Sequence, residues 1–192
     1  MGRLTFILGG ARSGKSTYAE KLASLYGGKV VYIATAQALD EEMETRIKAH
    51  QAQRPEAWQT LEISRHVASE LAKNPPKADT ILLDCLTLLI SNLLMDACQD
   101  ADKPDEALSR ELAASEIKAL LDSIQSGSAD WIVVSNEVGM GLVPPYPLGR
   151  LYRDLLGWAN QQIAGQAAKV LIMIAGIPWQ LTPEEDGNGG RG

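Results

Sequence analysis

Histidine, cysteine and phenylalanine are scarce in this chain, at two, two and one among 192 residues. Cys85 and Cys98 make neither a disulfide framework nor a zinc-ligand spacing, and Cys85 reads as a small core residue in an apolar run. Positive charge is not in surplus either. A net charge of −6 and a pI near 5.0 argue against a nucleic-acid scaffold, so local cationic groups must hold any anionic ligand. No apolar stretch is long enough to span a bilayer, and no signal-like segment precedes the first expected strand. The expectation is a chain of the reducing cytoplasm, with no membrane span and no nucleic-acid partner. Aromatic residues make up 5% and are scattered, as Trp58, Trp131, Trp158, Trp179, Tyr32 and Tyr152 show, which suits core and interface better than a stacking platform. There is no internal repeat.

What the chain does have is hydrophobic content of 45%, enough for one proper core, and a phosphate-binding loop near its start. Gly9-Gly10-Ala11-Arg12-Ser13-Gly14-Lys15-Ser16 fits G-x-x-x-x-G-K-[ST] without a mismatch. An apolar run, Arg3–Leu8, precedes it, and a helical stretch, Thr17–Tyr26, follows and is closed by Gly27-Gly28. In that order the backbone N–H groups and the positive helix end surround polyphosphate oxygens, Lys15 adds charge at the β- and γ-phosphates, and Ser16 can ligate Mg²⁺.

Further strands are expected at Lys29–Ala34, weakly at Trp58–Ile63, and at Asp79–Asp84, Trp131–Ser135 and Val170–Ala175, the last being the final one. Helices are expected over Asp40–Gln53, Ser64–Lys73 with Ser64 as cap, Leu86–Cys98, Ala107–Gln125 and Leu148–Ala168. Apolar strands alternating with helices predict an α/β fold: three layers, a mostly parallel sheet with helices on both faces. One nucleotide-binding domain over residues 1–180 is expected, followed by a disordered glycine-rich tail, 181–192. Ligands collect at the carboxyl ends of such strands, where Gly9 to Ser16, Thr35, Asp84 and Asn136 all stand. Asp84, ending an apolar strand, has the position of an acid that holds Mg²⁺.

Arg46, His50 and Arg54 lie at i, i+4 and i+8 of one expected helix and share a face. Two guanidiniums beside an imidazole disfavour imidazolium, keeping His50 neutral and nucleophilic near pH 7, and could position a phosphate before it. A solvated helix face with an ordinary Glu42–Arg46 pair gives the same spacing, so geometry alone leaves both readings open. His66 reads as structural or exposed. Glu62 could bond a base or ribose, or be an exposed edge glutamate. The loop Asn136–Pro145 is long enough to suggest a role toward substrate or metal, and Arg150 and Arg153 default to a solvated face.

Taken together, these segments resemble one family. The phosphate loop, Tyr32-Ile33-Ala34-Thr35-Ala36, Arg46 to Pro55 with its R-I-x-x-H-x-x-x-R-P pattern, Leu83 to Thr87, and Asn136-Glu137-Val138-Gly139-Met140-Gly141 form its series. The chain to about Ile177 is similar to the bifunctional adenosylcobinamide kinase/adenosylcobinamide-phosphate guanylyltransferases of cobalamin biosynthesis. The resemblance implies a RecA-like P-loop NTPase, homo-oligomeric as a trimer, acting on adenosylcobinamide and its phosphate with ATP, GTP and Mg²⁺. It implies phosphorylation of the aminopropanol hydroxyl, then transfer of GMP through His50. It also implies a guanine-nucleotide site of the phosphate loop, Ala34-Thr35-Ala36, Gln51-Ala52-Gln53-Arg54, Glu62 and Asp84. A plain small-molecule kinase or ATPase and a non-catalytic nucleotide-binding module are the alternatives.

Overall fold

The computed structural model describes residues 2–37, 51, 54–98 and 100–182. The expected helix over Asp40–Gln53 lies outside them except for Gln51, and so does the tail from residue 183 onward. Seven strands form one sheet in the order β3-β2-β4-β5-β1-β6-β7. They are β1 (Leu4–Gly9), β2 (Val30–Ala34), β3 (Gln59–Glu62), β4 (Thr80–Asp84), β5 (Asp130–Val134), β6 (Lys169–Ile174) and β7 (Ile177–Gln180). All neighbours pair in parallel except β6 and β7. The helices are α1 (Lys15–Tyr26), α2 (Val67–Lys73), α3 (Leu86–Ala97), α4 (Glu106–Ser126) and α5 (Pro147–Ala164).

The central strands are apolar on both sides because both sides are covered. Leu4, Phe6, Ile81, Leu83, Trp131 and Val133 pack into one core with α2 to α5, and the chain's single phenylalanine lies fully buried there. The alternate residues, Ile7, Val30, Tyr32, Leu82, Ile132 and Val134, face the opposite side, where Ala19 and Ala23 of α1 meet them. With alanine at the contact, that helix can lie close against the sheet.

The structure corrects three expectations. The sheet does not end with β6: Ala175 and Gly176, at φ 51° and 81°, turn the chain back into an antiparallel β7 that contains Pro178. Positive φ at both central residues is what a type I′ two-residue hairpin turn requires, and Ala-Gly is a weaker signal for it than Asn-Gly. The last long helix stops at Ala164, before the expected Ala168. Nor does Ser64 cap a helix. Its hydroxyl accepts from Gln37 Nε2 at 2.9 Å and its carbonyl from Asn92 at 3.0 Å.

The helix begins instead at Val67, whose N–H donates to Glu116 Oε1 of α4 at 2.8 Å. Glu116 is buried, and His66 Nδ1 stands 3.3 Å from its other oxygen. A carboxylate from a different helix thus does the work of the cap. Glu116→Ala is expected to cost about 1–2 kcal/mol in urea denaturation and to expose the Val67 amide to exchange, whereas Glu116→Gln, still an acceptor, should cost less.

Candidate active site

The phosphate loop leaves β1 through Gly9, at φ 155°, where a Cβ would come within 2.6 Å of both the Met173 carbonyl and Ser13 Oγ. Gly14 takes φ 90° at the start of α1, and a Cβ there would approach Gly176 Cα at 3.3 Å. The β6–β7 turn is tied to the loop directly, since Gly176 N donates to the Ser13 carbonyl at 3.0 Å. Glycines at these positions are therefore a packing requirement of the sheet as well as a way of presenting N–H groups to an anion. Gly10, Ala11 and Arg12 form the exposed crest, with Arg12 at φ 56°.

Lys15 is nearly buried, and its Nζ donates to the Gly10 carbonyl at 2.6 Å and to Ser13 Oγ at 3.4 Å. Burial lowers its pKa from the usual lysine range, while the Cys85 thiol and Asp84 carboxylate act to raise it. A phosphate oxyanion arriving beside it would favour the ammonium further. In an acidic protein this is the local cation that an anionic ligand needs.

Asp84 ends β4, and its Oδ2 accepts from the Tyr32 hydroxyl at 2.7 Å. Burial, followed by the charge of Asp84, pushes the Tyr32 phenol far above its ordinary range, so the hydroxyl remains a donor. The Arg54 guanidinium lies over the same ring, 3.6 Å from its centroid. Its Nε and Nη1 are buried without a partner among the described residues. Arg54 thus stands over the ring whose hydroxyl bonds the strand-end acid, with donor capacity in hand. Ser16 in the first turn of α1 and Asp84 supply hard oxygen donors, which suit a Mg²⁺ ion completed by phosphate oxygens and water. Among the described residues there is no group of three or more metal-type side chains.

Thr35 is wholly buried. Its hydroxyl donates to the Cys85 carbonyl at 2.7 Å and accepts from the Cys85 N–H at 2.8 Å, and its own N–H bonds the Asp84 carbonyl at 3.2 Å. Thr35 fixes the backbone on which Asp84 is carried, while Ala36 beside it is only half-buried. Burial raises the Cys85 thiol to about 11, consistent with a core residue and not a nucleophile.

Gln51 and Glu62 are brought together, with Gln51 Nε2 donating to Glu62 Oε1 at 3.0 Å, at the end of the edge strand β3 beside Ala34 of β2. Arg46, His50, Ala52 and Gln53 lie outside the described residues.

After β5 the chain passes next to the phosphate loop, where Glu137 N donates to the Gly9 carbonyl at 3.1 Å. Asn136 N donates to Thr87 Oγ1 at 2.7 Å, and Asn160 holds the Asn136 carbonyl at 3.1 Å. Arg150 and Arg153 are not an idle solvated face: both donate to carbonyls of this loop. Only the spacing i, i+3 on a helix following a long loop hinted at that role. A cavity of about 570 Å³ lies away from all these residues, between α2, α4 and the segments that lead into β4 and β5, lined by Pro75, Pro76, Gly127 and Ala129 among others.

A family model described as cobinamide kinase / cobinamide phosphate guanyltransferase matches residues 5–181. A bifunctional adenosylcobalamin biosynthesis protein of Pseudomonas aeruginosa, CobP, is 44% identical over 178 residues, spanning 93% of this chain and 96% of that one. The corresponding CobU protein of Escherichia coli is 41% identical over 178 residues, 91% of this chain and 97% of that one. Among solved structures, the RadB recombinase aligns over 89% of this chain and 74% of its own, with TM-score 0.51 and 20% identity. That likeness shows the RecA-like α/β fold of P-loop NTPases.

Thr35→Val is expected to leave the Cys85 N–H without its partner, while the Cys85 carbonyl keeps the Leu89 N–H. Urea denaturation should register a loss of about 1–3 kcal/mol, with Thr35→Ser close to the parent.

Proposed function

The chain belongs to the cobinamide kinase / cobinamide phosphate guanyltransferase family, and from that premise we propose how its residues divide the two reactions. It is a nucleotide-using bifunctional enzyme of cobalamin biosynthesis whose acceptors are cobinamide and its phosphate. The observation that carries the reading is the gathering of Lys15, Asp84, Arg54, Gln51 and Glu62 along the carboxyl edge of the parallel strands of one sheet.

In the guanylyl transfer, Gly9 to Ser16 hold the β- and γ-phosphates of GTP, and Lys15 offsets the charge of the departing pyrophosphate. Mg²⁺, when bound through Ser16 and Asp84, would supply further charge at the phosphates. Neutral His50 attacks the α-phosphorus: a P–N bond forms as the bond to the bridging oxygen breaks, and pyrophosphate leaves. An oxygen of the acceptor's phosphate then attacks the same phosphorus and the P–N bond breaks. The imidazole returns to its neutral form, and the product is adenosylcobinamide-GDP.

His50 is the immediate chain neighbour of Gln51, which bonds Glu62, and Arg46 and Arg54 position the phosphate between them. Glu62 and Gln51, with Ala34, Thr35 and Ala36 behind them, are assigned to the guanosine end, together with Ala52 and Gln53.

In the kinase reaction the hydroxyl oxygen of the aminopropanol arm attacks the γ-phosphorus of ATP or GTP and loses its proton to solvent, with positioning supplying most of the acceleration. A homotrimer in which neighbouring subunits complete the site belongs to the same proposal, and sedimentation equilibrium should return the mass of three chains.

Incubation with α-labelled GTP and Mg²⁺ should leave acid-labile, alkali-stable label on the protein, and γ-labelled GTP should leave none. His50→Ala should abolish the label. Full-yield labelling of that variant would overturn the assignment of the nucleophile. No labelling of the parent, with phosphorylated cobinamide still formed, would reduce the enzyme to a plain kinase.

A further inference from the structure

The family's acceptor brings a single hydroxyl or phosphate to the nucleotide, yet its corrin body is far larger than a phosphate cradle and must rest on adjoining surface. Two loops flank the phosphate loop in the sheet order, one after β5 and one after β6. The β6–β7 turn lies on the side of β1 away from Asp84. The loop after β5, residues 135–146, lies between β1 and β4, and therefore between the cradle and the acid.

That loop shows a contrast. Its backbone is pinned on either side of residues 140–143: Glu137 N to the Gly9 carbonyl, Arg153 Nη2 to the Gly139 carbonyl at 2.8 Å, and Arg150 Nη1 to the Pro144 and Pro145 carbonyls at 3.1 and 2.8 Å. Glu137 Oε1 also takes the Gly139 N–H at 2.6 Å, and a Cβ at Gly139 would stand 2.8 Å from that oxygen. Several of its side chains, by contrast, are apolar and turned to water, with Met140 83%, Leu142 96%, Val143 66% and Tyr146 53% exposed. Charge-assisted bonds hold an apolar surface in a fixed shape where a bulky ligand must lie.

The other half of the observation is a cavity of about 350 Å³ at the rim of the same loop, lined by Gly139, Arg153, Asp154, Gly157, Trp158 and Gln161. Arg153 Nη1 is buried and has no partner among the described residues. A carbonyl oxygen would satisfy it, and Asp154 and Gln161 can answer an amide N–H. An amide-fringed macrocycle with an apolar face matches both features at once.

We propose that the loop 135–146 is the acceptor ledge. The face of the corrin lies against Met140, Leu142, Val143 and Tyr146, one of its amide arms enters the cavity beside Arg153, and Arg150 and Arg153 are positioning residues that set the ledge. The inference rests on the acceptor assignment made under Proposed function, but not on the role of His50.

Cobinamide absorbs visible light, so its binding to the full chain can be followed by equilibrium dialysis without turnover. Leu142→Asp and Arg153→Ala should each raise the Kd for cobinamide tenfold or more, with the Kd for GTP kept within twofold. Arg153→Lys should recover most of the loss, because one donor can still reach the loop carbonyl, and His50→Ala should bind cobinamide as the parent does. An unchanged cobinamide Kd in Leu142→Asp would overturn the ledge. So would a change in that variant's mass by light scattering, which would show that a second copy covers the loop. A parent chain that failed to bind cobinamide at all would sink the acceptor assignment itself.

Discussion

The close approach of three backbone segments at Gly9, Gly14 and Gly176 is the constraint on which the rest depends. β1 must turn into the phosphate loop beneath the Met173 carbonyl, in a space that no side chain can share. The N–H of Gly176 then ties the loop to the next strand's turn through the Ser13 carbonyl. The cradle is thus part of the sheet's own packing and not an appendage. Its geometry is set before any anion arrives, so ordering it costs little on binding.

Around that fixed cradle the site is assembled by relays. Arg54 rests on Tyr32, Tyr32 bonds Asp84, and Thr35 clamps the peptide that follows Asp84. Two of these links join β2 to the end of β4, and the third lays Arg54 on β2, which is how residues distant in the chain come to one edge. In a chain of net charge −6 the relays also keep positive charge local: Lys15 over the loop and Arg54 over the ring, each in reach of the acid or its partner.

Much of this was legible beforehand because it rests on local rules. The phosphate loop with its flanking strand and helix, the apolar parallel strands and Asp84 at a strand end follow from period, composition and glycine placement. What escaped the sequence depended on contacts between distant segments. Ser64 looked like a cap, but a carboxylate on α4 reaches the first amide of α2. Arg150 and Arg153 looked solvated because nothing in their own helix reveals that carbonyls from residues 139, 144 and 145 stand against them. β7 was missed because Ala175 takes a left-handed conformation that its residue type does not advertise. That the wholly buried Thr35 clamps the Cys85 peptide is likewise a contact between distant segments.

The two borders of the sheet differ from its interior in a way that bears on the protein's life in a crowded solution. β3 ends it on one side with the exposed polar residues Gln59, Thr60 and Glu62, and β7 on the other with Ile177, Pro178 and Trp179 open to water. An outermost strand invites foreign strands to add to it, most of all when its side chains are greasy. Pro178 removes one amide donor from the greasier border, and the uncharged polar pair with a carboxylate guards the other, so stacking of one molecule's sheet onto another's is discouraged at both ends.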